Sequence, residues 1–289
     1  MLGAITGDVI GSVYEFNNTK KYDFNLFSYK SSFTDDSIMT IAVAEWLIKD
    51  KTHSYQTLED IMLKYGNKYP EPVGAYGSGF YIWLFHPENS FDFIDYDGCG
   101  LPYESKTGRH PYNSIGNGAG MRVSSVGWFF DTLEETKRVA EISAKITHNH
   151  PEGIKGAQVV ASAIWMARKT HSKERIKDYI ETEYNYDLSD TWKNLNKTYT
   201  WKSDCEGTIA PAIICFLESS NYIDAIRKAV SIGGDSDTLA CITGGIAEAY
   251  YGGVPNYAAK QVIQSLPKEF INTLKQMEAE SYYDIRITR

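Results

Sequence analysis

Residues 233–251 read Gly-Gly-Asp-Ser-Asp-Thr-Leu-Ala-Cys-Ile-Thr-Gly-Gly-Ile-Ala-Glu-Ala-Tyr-Tyr, and this stretch decides the fold. Between Leu239 and Tyr250 only Thr243 and Glu248 interrupt an otherwise apolar helical run. A helix without a polar face has no side to turn to water, so it belongs at the centre of the molecule. Residues 37–48, Ser-Ile-Met-Thr-Ile-Ala-Val-Ala-Glu-Trp-Leu-Ile, repeat the pattern, with Thr40 and Glu45 as the strongly polar interruptions. Helical periodicity recurs at 34–50, 132–147, 151–170, 206–218, 222–232 and 236–251, whereas alternating β-branched runs are scarce. The Asn149-His150-Pro151 step closes one helix and opens the next, with Pro151 suited to a first helical position. Near the N-terminus Gly3, Gly7 and Gly11 recur every four residues, a smooth stripe for close helix contact. Each such glycine costs about 1 kcal/mol relative to alanine in a helix interior, so packing or a ligand must compensate. The expectation is an all-α protein, one compact multi-helix domain over residues 1–289, without linker or solenoid repeat.

Composition agrees. Hydrophobic residues make up 43% and charged residues 23% of 289, ordinary for a globular chain and incompatible with disorder. Lysine and arginine number 29 against 37 acids, a net charge of −8, so no basic surplus exists to neutralise a nucleic-acid backbone. Cys99, Cys205, Cys215 and Cys241 form no CxxC pair, which points to reduced thiols and a cytoplasmic location. The first 16 residues lack a basic start and carry Asp8, so they do not read as a signal peptide. Apolar runs such as 207–217 fall short of the roughly 18 residues a membrane span needs. The aperiodic stretch 86–113, with Phe91, Phe93, Tyr96, Tyr103 and Tyr112, is expected to be an ordered, packed loop.

Both central helices open on acids: Thr34-Asp35-Asp36-Ser37 and Asp235-Ser236-Asp237-Thr238. Helix capping accounts for one short side chain at each start, not for two carboxylates and a hydroxyl. If the two starts lie together, Asp35, Asp36, Asp235 and Asp237 meet in a poorly solvated place, where they must protonate or recruit cations. With the Thr34 and Thr238 hydroxyls the donor set is all oxygen, which suits Mg²⁺, Mn²⁺ or Ca²⁺ rather than zinc. Four or five carboxylates neutralise two dications. An EF-hand loop is excluded, because its sixth and twelfth positions from Asp235 would be Ala240 and Ile246. By itself Glu15 reads as a solvated helix-end acid. The glycine-rich segments 74–80 and 112–122 read as turns or as phosphate cradles, and match neither a Rossmann nor a P-loop pattern. His148 reads as a helix-end histidine bonded to backbone.

Taken in order, GDVIGSVYEF, FTDDS, YGSGF, SIGNGAGMR, THNHPEGIKGA and GGDSDTLACITGGIAEAYYG resemble the ADP-ribosylglycohydrolase family, which includes the dinitrogenase-reductase-activating glycohydrolase and J1-type crystallins. The resemblance spans about residues 2–253 and implies an all-α fold with two Mg²⁺ or Mn²⁺ ions. It implies Thr34, Asp35, Asp36, Asp235, Asp237 and Thr238 as metal ligands. Glu15 would join them at the metals, with Glu15, Asp35 and Asp36 in the catalytic role. Gly77, Ser78 and Gly79, with Ser114, Ile115, Gly116, Asn117 and Gly118, would line an ADP-ribose groove and hold its diphosphate through backbone N–H groups. His148 would lie on the adenosine side, and Tyr112 is placed to stack on adenine. The implied activity is metal-dependent cleavage of the C1″ glycosidic bond of ADP-ribose on a protein side chain or related acceptor. The alternative from a different class is a non-catalytic ADP-ribose-binding or crystallin-like structural protein. The departures, Ser37 and Ser236 where Thr and Ala are usual, touch no proposed carboxylate.

Overall fold

The computed structural model describes residues 1–89, 103–283 and 287–288. Its helices are α1 (Leu2–Gly11), α2 (Asp35–Lys49), α3 (Tyr55–Lys68), α4 (Ser78–Phe85), α5 (Gly118–Met121), α6 (Ser124–Phe129), α7 (Leu133–Lys145), α8 (Pro151–Thr170), α9 (Lys173–Tyr184), α10 (Trp192–Thr198), α11 (Cys205–Leu217), α12 (Tyr222–Ser231), α13 (Ser236–Tyr251), α14 (Asn256–Ser265) and α15 (Lys268–Glu280). Strands β1 (Val254–Pro255) and β2 (Ile287–Thr288) pair in parallel. The all-helical class is therefore as the hydrophobic pattern requires.

The two apolar helices are central. Every residue of α13 from Ser236 to Ala249 is buried, as is Asp36–Leu47 of α2. The acids that interrupt them are satisfied internally. Glu45 accepts from Lys49 at 2.6 Å, Lys64 at 2.7 Å and Tyr65 at 2.7 Å. Glu248 accepts from Gly3 N–H at 2.9 Å and Tyr283 Oη at 3.1 Å. A paired acid is thus compatible with a helix that has no wet face.

The glycine stripe explains how α1, itself wholly buried, lies on α13. Gly3 faces Gly244 and Glu248, Gly7 faces Ala240, and Gly11 faces Ser236 and Asp237, so the helices run antiparallel with backbones in contact. A Cβ on Gly7 would sit 2.0 Å from the Ala240 carbonyl oxygen, and one on Gly11 2.4 Å from that of Ser236. The antiparallel course carries the end of α1 to the start of α13. The helix stops at Gly11, where Tyr14 N–H bonds Gly11 O at 2.8 Å and Ser12 Oγ bonds Val9 O at 3.0 Å. This tightened turn corrects the expected boundary: Glu15 lies four residues beyond the helix rather than closing it.

His150 and Pro151 start α8 as expected, with His150 Nδ1 accepting from Glu152 N–H at 3.1 Å. In the stretch 86–113, Tyr103 and Tyr112 pack against the core, while Phe91, Phe93 and Tyr96 lie outside the described residues. Buried Glu59 on α3 anchors the near side of that stretch, accepting from Ser105 Oγ at 2.9 Å, Thr107 Oγ1 at 2.6 Å and the Tyr103 hydroxyl. Among the described residues no helix is long and apolar enough to cross a membrane.

Candidate active site

One residue of α1 fixes the start of α2. Asp8, fully buried, accepts from Thr34 N–H at 3.0 Å, Thr34 Oγ1 at 2.8 Å, Ser37 N–H at 3.1 Å and the Ser37 hydroxyl. These bonds lock the first turn of α2 onto α1. Thr34 is also the N-cap, its Oγ1 accepting from Asp36 N–H at 3.2 Å. Its hydroxyl therefore donates once, accepts once and keeps one lone pair.

With α2 fixed to α1, and α1 lying antiparallel on α13, the acids meet. Carboxylate oxygens of Glu15, Asp235 and Asp237 lie within 4.8 Å of one another. Asp35, Asp36 and Thr238 line the same cleft, and Thr238 Oγ1 donates to Asp36 Oδ2 at 3.3 Å. Glu15, Asp36, Asp235 and Asp237 are buried, and Asp35 is half-buried. Burial, reinforced by neighbouring carboxylates, raises the pKa of Asp35, Asp36 and Asp237 well above the usual range. The same causes push Glu15 up to about 7. Asp235 is raised by burial, held back by bonds that include Asn117 Nδ2 at 2.7 Å. Glu15 Oε2, Asp36 Oδ1 and Asp237 Oδ1 are buried with no hydrogen-bond partner among the described residues. Clustered, desolvated carboxylates with open lone pairs and an all-oxygen donor set fit hard divalent cations. A loop covers this cluster: at Gly74, with φ +86°, a Cβ would lie 2.7 Å from Glu15 Oε2, so only glycine lets the backbone cross there.

The acids form one end of a cleft of about 420 Å³. One wall is Gly77–Gly79 at the start of α4, where the missing Gly79 side chain admits the Tyr112 ring; a Cβ would meet Tyr112 Cε2 at 2.8 Å. The other wall is Ser114, Gly116, Asn117 and Gly118, laddered to the segment before α11 by Asn117 N–H to Ser203 O and Cys205 N–H to Ile115 O, both 2.8 Å. His148 closes the back, its ring 5.9 Å from that of Tyr112. Two expectations are corrected. The N–H groups of Gly116 and Asn117 are not free for a phosphate, because they serve Ser114 Oγ (3.0 Å) and Ser203 O. The Ile115 side chain, 48% exposed, is not among the cleft-lining residues. Asn117 works instead as a bridge, binding Asp235 and, at 3.2 Å, Thr208 Oγ1.

The sequence pattern of ADP-ribosylglycohydrolases matches residues 1–282. The chain belongs to the ADP-ribosylglycohydrolase family. Among its relatives, the ADP-ribosylhydrolase ARH3 of Mus musculus is 23% identical over 87% of this chain and 82% of its own length. The ADP-ribosylarginine hydrolase Tri1 of Pseudomonas putida (strain GB-1) is 22% identical over 96% and 78%. A solved ADP-ribosylglycohydrolase-related protein complex shares the fold, with a TM-score of 0.60 at 22% identity, covering 96% of this chain and 94% of that one.

Several residues of this family member at the site were not singled out from sequence. Asp8 carried a signal, an acid inside an apolar glycine-striped helix. Arg122, 1% exposed, also lines the cleft. Phe16 and Trp201 stack at 5.7 Å and 14° along the cleft, 185 residues apart in sequence and so invisible as a pair.

Proposed function

We propose that the protein is a metal-dependent hydrolase that removes ADP-ribose from a protein side chain or related acceptor by cleaving the C1″ glycosidic bond. The observation that carries this reading is the set of five acids, three with buried oxygens unpartnered among the described residues, lining a cleft in a chain of this family. The names of the relatives, hydrolases of ADP-ribosyl groups, support the substrate class. Glu15, Asp35, Asp36, Asp235 and Asp237, with the Thr34 and Thr238 hydroxyls, would hold two Mg²⁺ or Mn²⁺ ions. When bound, such ions supply Lewis-acid polarisation and a template for hydroxyls and water.

The residues of the chain do the rest. Cleavage at an anomeric carbon develops oxocarbenium character and needs a positioned proton carrier. Glu15, poised near neutrality, is the candidate for moving that proton at a carboxylate oxygen, with Asp35 or Asp36 beside it. Gly77–Gly79, with Ser114 and Gly118, would seat the diphosphate, and Tyr112 and His148 the adenosine half. Burial of the cluster excludes bulk water. We take residues 1–289 as one such domain and, from the buried free thiols of Cys205, Cys215 and Cys241, a cytoplasmic protein.

The test is release of ADP-ribose from a panel of ADP-ribosylated proteins and peptides, with Mg²⁺ or Mn²⁺ and with chelator. Release that the chelator and the Asp35→Asn plus Asp235→Asn variant abolish supports the reading. Tight ADP-ribose binding without turnover on any linkage would replace it with a non-catalytic binding protein. AMP as product would indicate attack on the diphosphate.

A further inference from the structure

Phe16 and Trp201 line the cleft and yet are 75% and 44% exposed. Among the described residues, the ring contact of each is with the other alone. The backbone beneath them is pinned. Asn18 clamps the Phe16 turn to the start of α13: its Nδ2 donates to Tyr14 O at 2.6 Å, Glu15 O at 2.8 Å and Gly234 O at 2.8 Å. Its Oδ1 accepts from Gly234 N–H at 2.7 Å. Lys20 Nζ donates to Tyr199 O at 3.0 Å and to Ile232 O, which ties the same loop to the segment that carries Trp201. Two large rings are thus held in water on fixed supports, the mark of a contact surface rather than of core packing.

Their place points to what they contact. Phe16 follows Glu15 in the chain, so the stack borders the acids, where cleavage at C1″ would occur and beyond which the acceptor would lie. Elsewhere the chain covers exposed rings with its own cations, as Arg168 and Lys169 do over Tyr282 at 4.8 and 5.0 Å and Lys30 over Tyr29 at 5.7 Å. Among the described residues no lysine or arginine stands over Phe16 or Trp201 in this way. The cleft lining carries five acids and a single cation, Arg122, whose guanidinium already bonds Ser143 O and Thr147 Oγ1. Even with two divalent ions, five carboxylates leave no positive surplus to repel a cation. A planar cation gains most from bare aromatic faces in such a field. A serine acceptor has no flat face to lay on them. A nucleobase has one, but its phosphates would meet a chain of net charge −8.

We propose that Phe16 and Trp201 form the acceptor subsite, an aromatic platform that selects ADP-ribose carried on an arginine guanidinium. The assignment rests on the hydrolase reading for the placing of ADP-ribose and adds the acceptor that it leaves open. In the reaction the C1″–N bond breaks with its electron pair passing to nitrogen, which neutralises the guanidinium. The oxygen of water bonds to C1″, and one proton of that water ends on the departing nitrogen. Arginine leaves as guanidinium and ADP-ribose carries a C1″ hydroxyl, so the platform faces a planar cation in both substrate and product.

The experiment compares peptides carrying ADP-ribose on arginine or on serine, with wild type, Phe16→Ala, Trp201→Ala and Trp201→Phe in Mn²⁺. The wild type is expected to favour the arginine-linked peptide about tenfold in kcat/KM, and each alanine variant to raise KM for it about threefold to thirtyfold with little change in kcat. Trp201→Phe, which keeps a ring, should retain most of the preference. Affinity for free ADP-ribose by calorimetry and the melting temperature should stay at wild-type values, which separates an acceptor platform from a merely structural stack. A wild type that prefers the serine-linked peptide, or ADP-ribose on a nucleobase of a DNA oligonucleotide, overturns the proposal. So do alanine variants that weaken free ADP-ribose as much as the arginine-linked peptide. If no linkage is cleaved, calorimetry on the two intact peptides decides. An arginine preference lost in Trp201→Ala keeps the platform while the hydrolase reading falls, and equal affinities remove the platform as well.

Discussion

Replacing Asp8 tests how the site is held together, because alanine and asparagine should part company there. Asp8→Ala removes four acceptors' worth of bonding from a fully buried position. The two hydroxyls of Thr34 and Ser37 can rotate to other partners, but the Thr34 and Ser37 N–H groups cannot. Two buried orphan donors at about 1–3 kcal/mol each cost roughly 2–6 kcal/mol. At roughly 2–4 °C per kcal/mol for a chain of this size class, the melting temperature falls on the order of 5–20 °C. In Asp8→Asn the amide oxygen can take the place of Oδ2 and keep both N–H groups and the Ser37 hydroxyl. The amide nitrogen then donates to Thr34 Oγ1, filling the lone pair left for a cation. The asparagine variant should lie within about 1 kcal/mol of wild type by urea unfolding in chelator, yet bind Mn²⁺ more weakly by calorimetry. It also relieves Asp35 and Asp36 of a neighbouring charge that raises them. An alanine variant as stable as wild type, or an asparagine variant as damaged as the alanine one, would refute this account of how α2 is docked.

Three further outcomes are expected. Gly7→Ala places a methyl 2.0 Å from the Ala240 carbonyl, so α1 and α13 must separate; more than about 3 kcal/mol of stability should be lost by chemical denaturation, with Mn²⁺ affinity falling alongside. Without metal, Glu15 titrates near 7 when folded against an ordinary 4.5, so the folded state holds the extra proton between those values. Stability from this group is present below about 4.5 and lost as pH rises to about 7, on the order of 3 kcal/mol, and Mn²⁺ should abolish that slope in melting curves taken across the range. Gly79→Ala displaces the Tyr112 ring at the cleft wall; equilibrium binding should show weaker ADP-ribose with a melting temperature close to wild type.

Much of this architecture was legible in the chain because a helix without a wet face has only one place to go. Residues 37–48 and 239–250 declared the centre, and the four-residue glycine spacing declared a close seam. The acid pairs ahead of each helix declared a meeting of carboxylates, since capping does not need two of them. What sequence reasoning left out depends on distant partners. Asp8 is explained only by Thr34 and Ser37, and Arg122 by Ser143 O and Thr147 Oγ1, which its guanidinium bonds. The 112–122 loop read as a turn or a phosphate cradle because its glycines are visible, whereas the bond that takes up Asn117 N–H at Ser203 O is not. The end of α1 was misjudged for a local reason: helical composition continues past Gly11, but the turn of Ser12 and Tyr14 overrides it.

The seam between α1 and α13 behaves as a ratchet. Its contacts are backbone against backbone, so no side chain can stretch or shrink to absorb a small slip. Glycines recur every fourth residue, and at about 1.5 Å rise per residue the next register in which the surfaces mesh lies about 6 Å away. Glu15 follows one rail by four residues and Asp235 and Asp237 open the other, so the register of the seam sets where the two segments meet. Loops around the cleft are then free to vary without moving that seam.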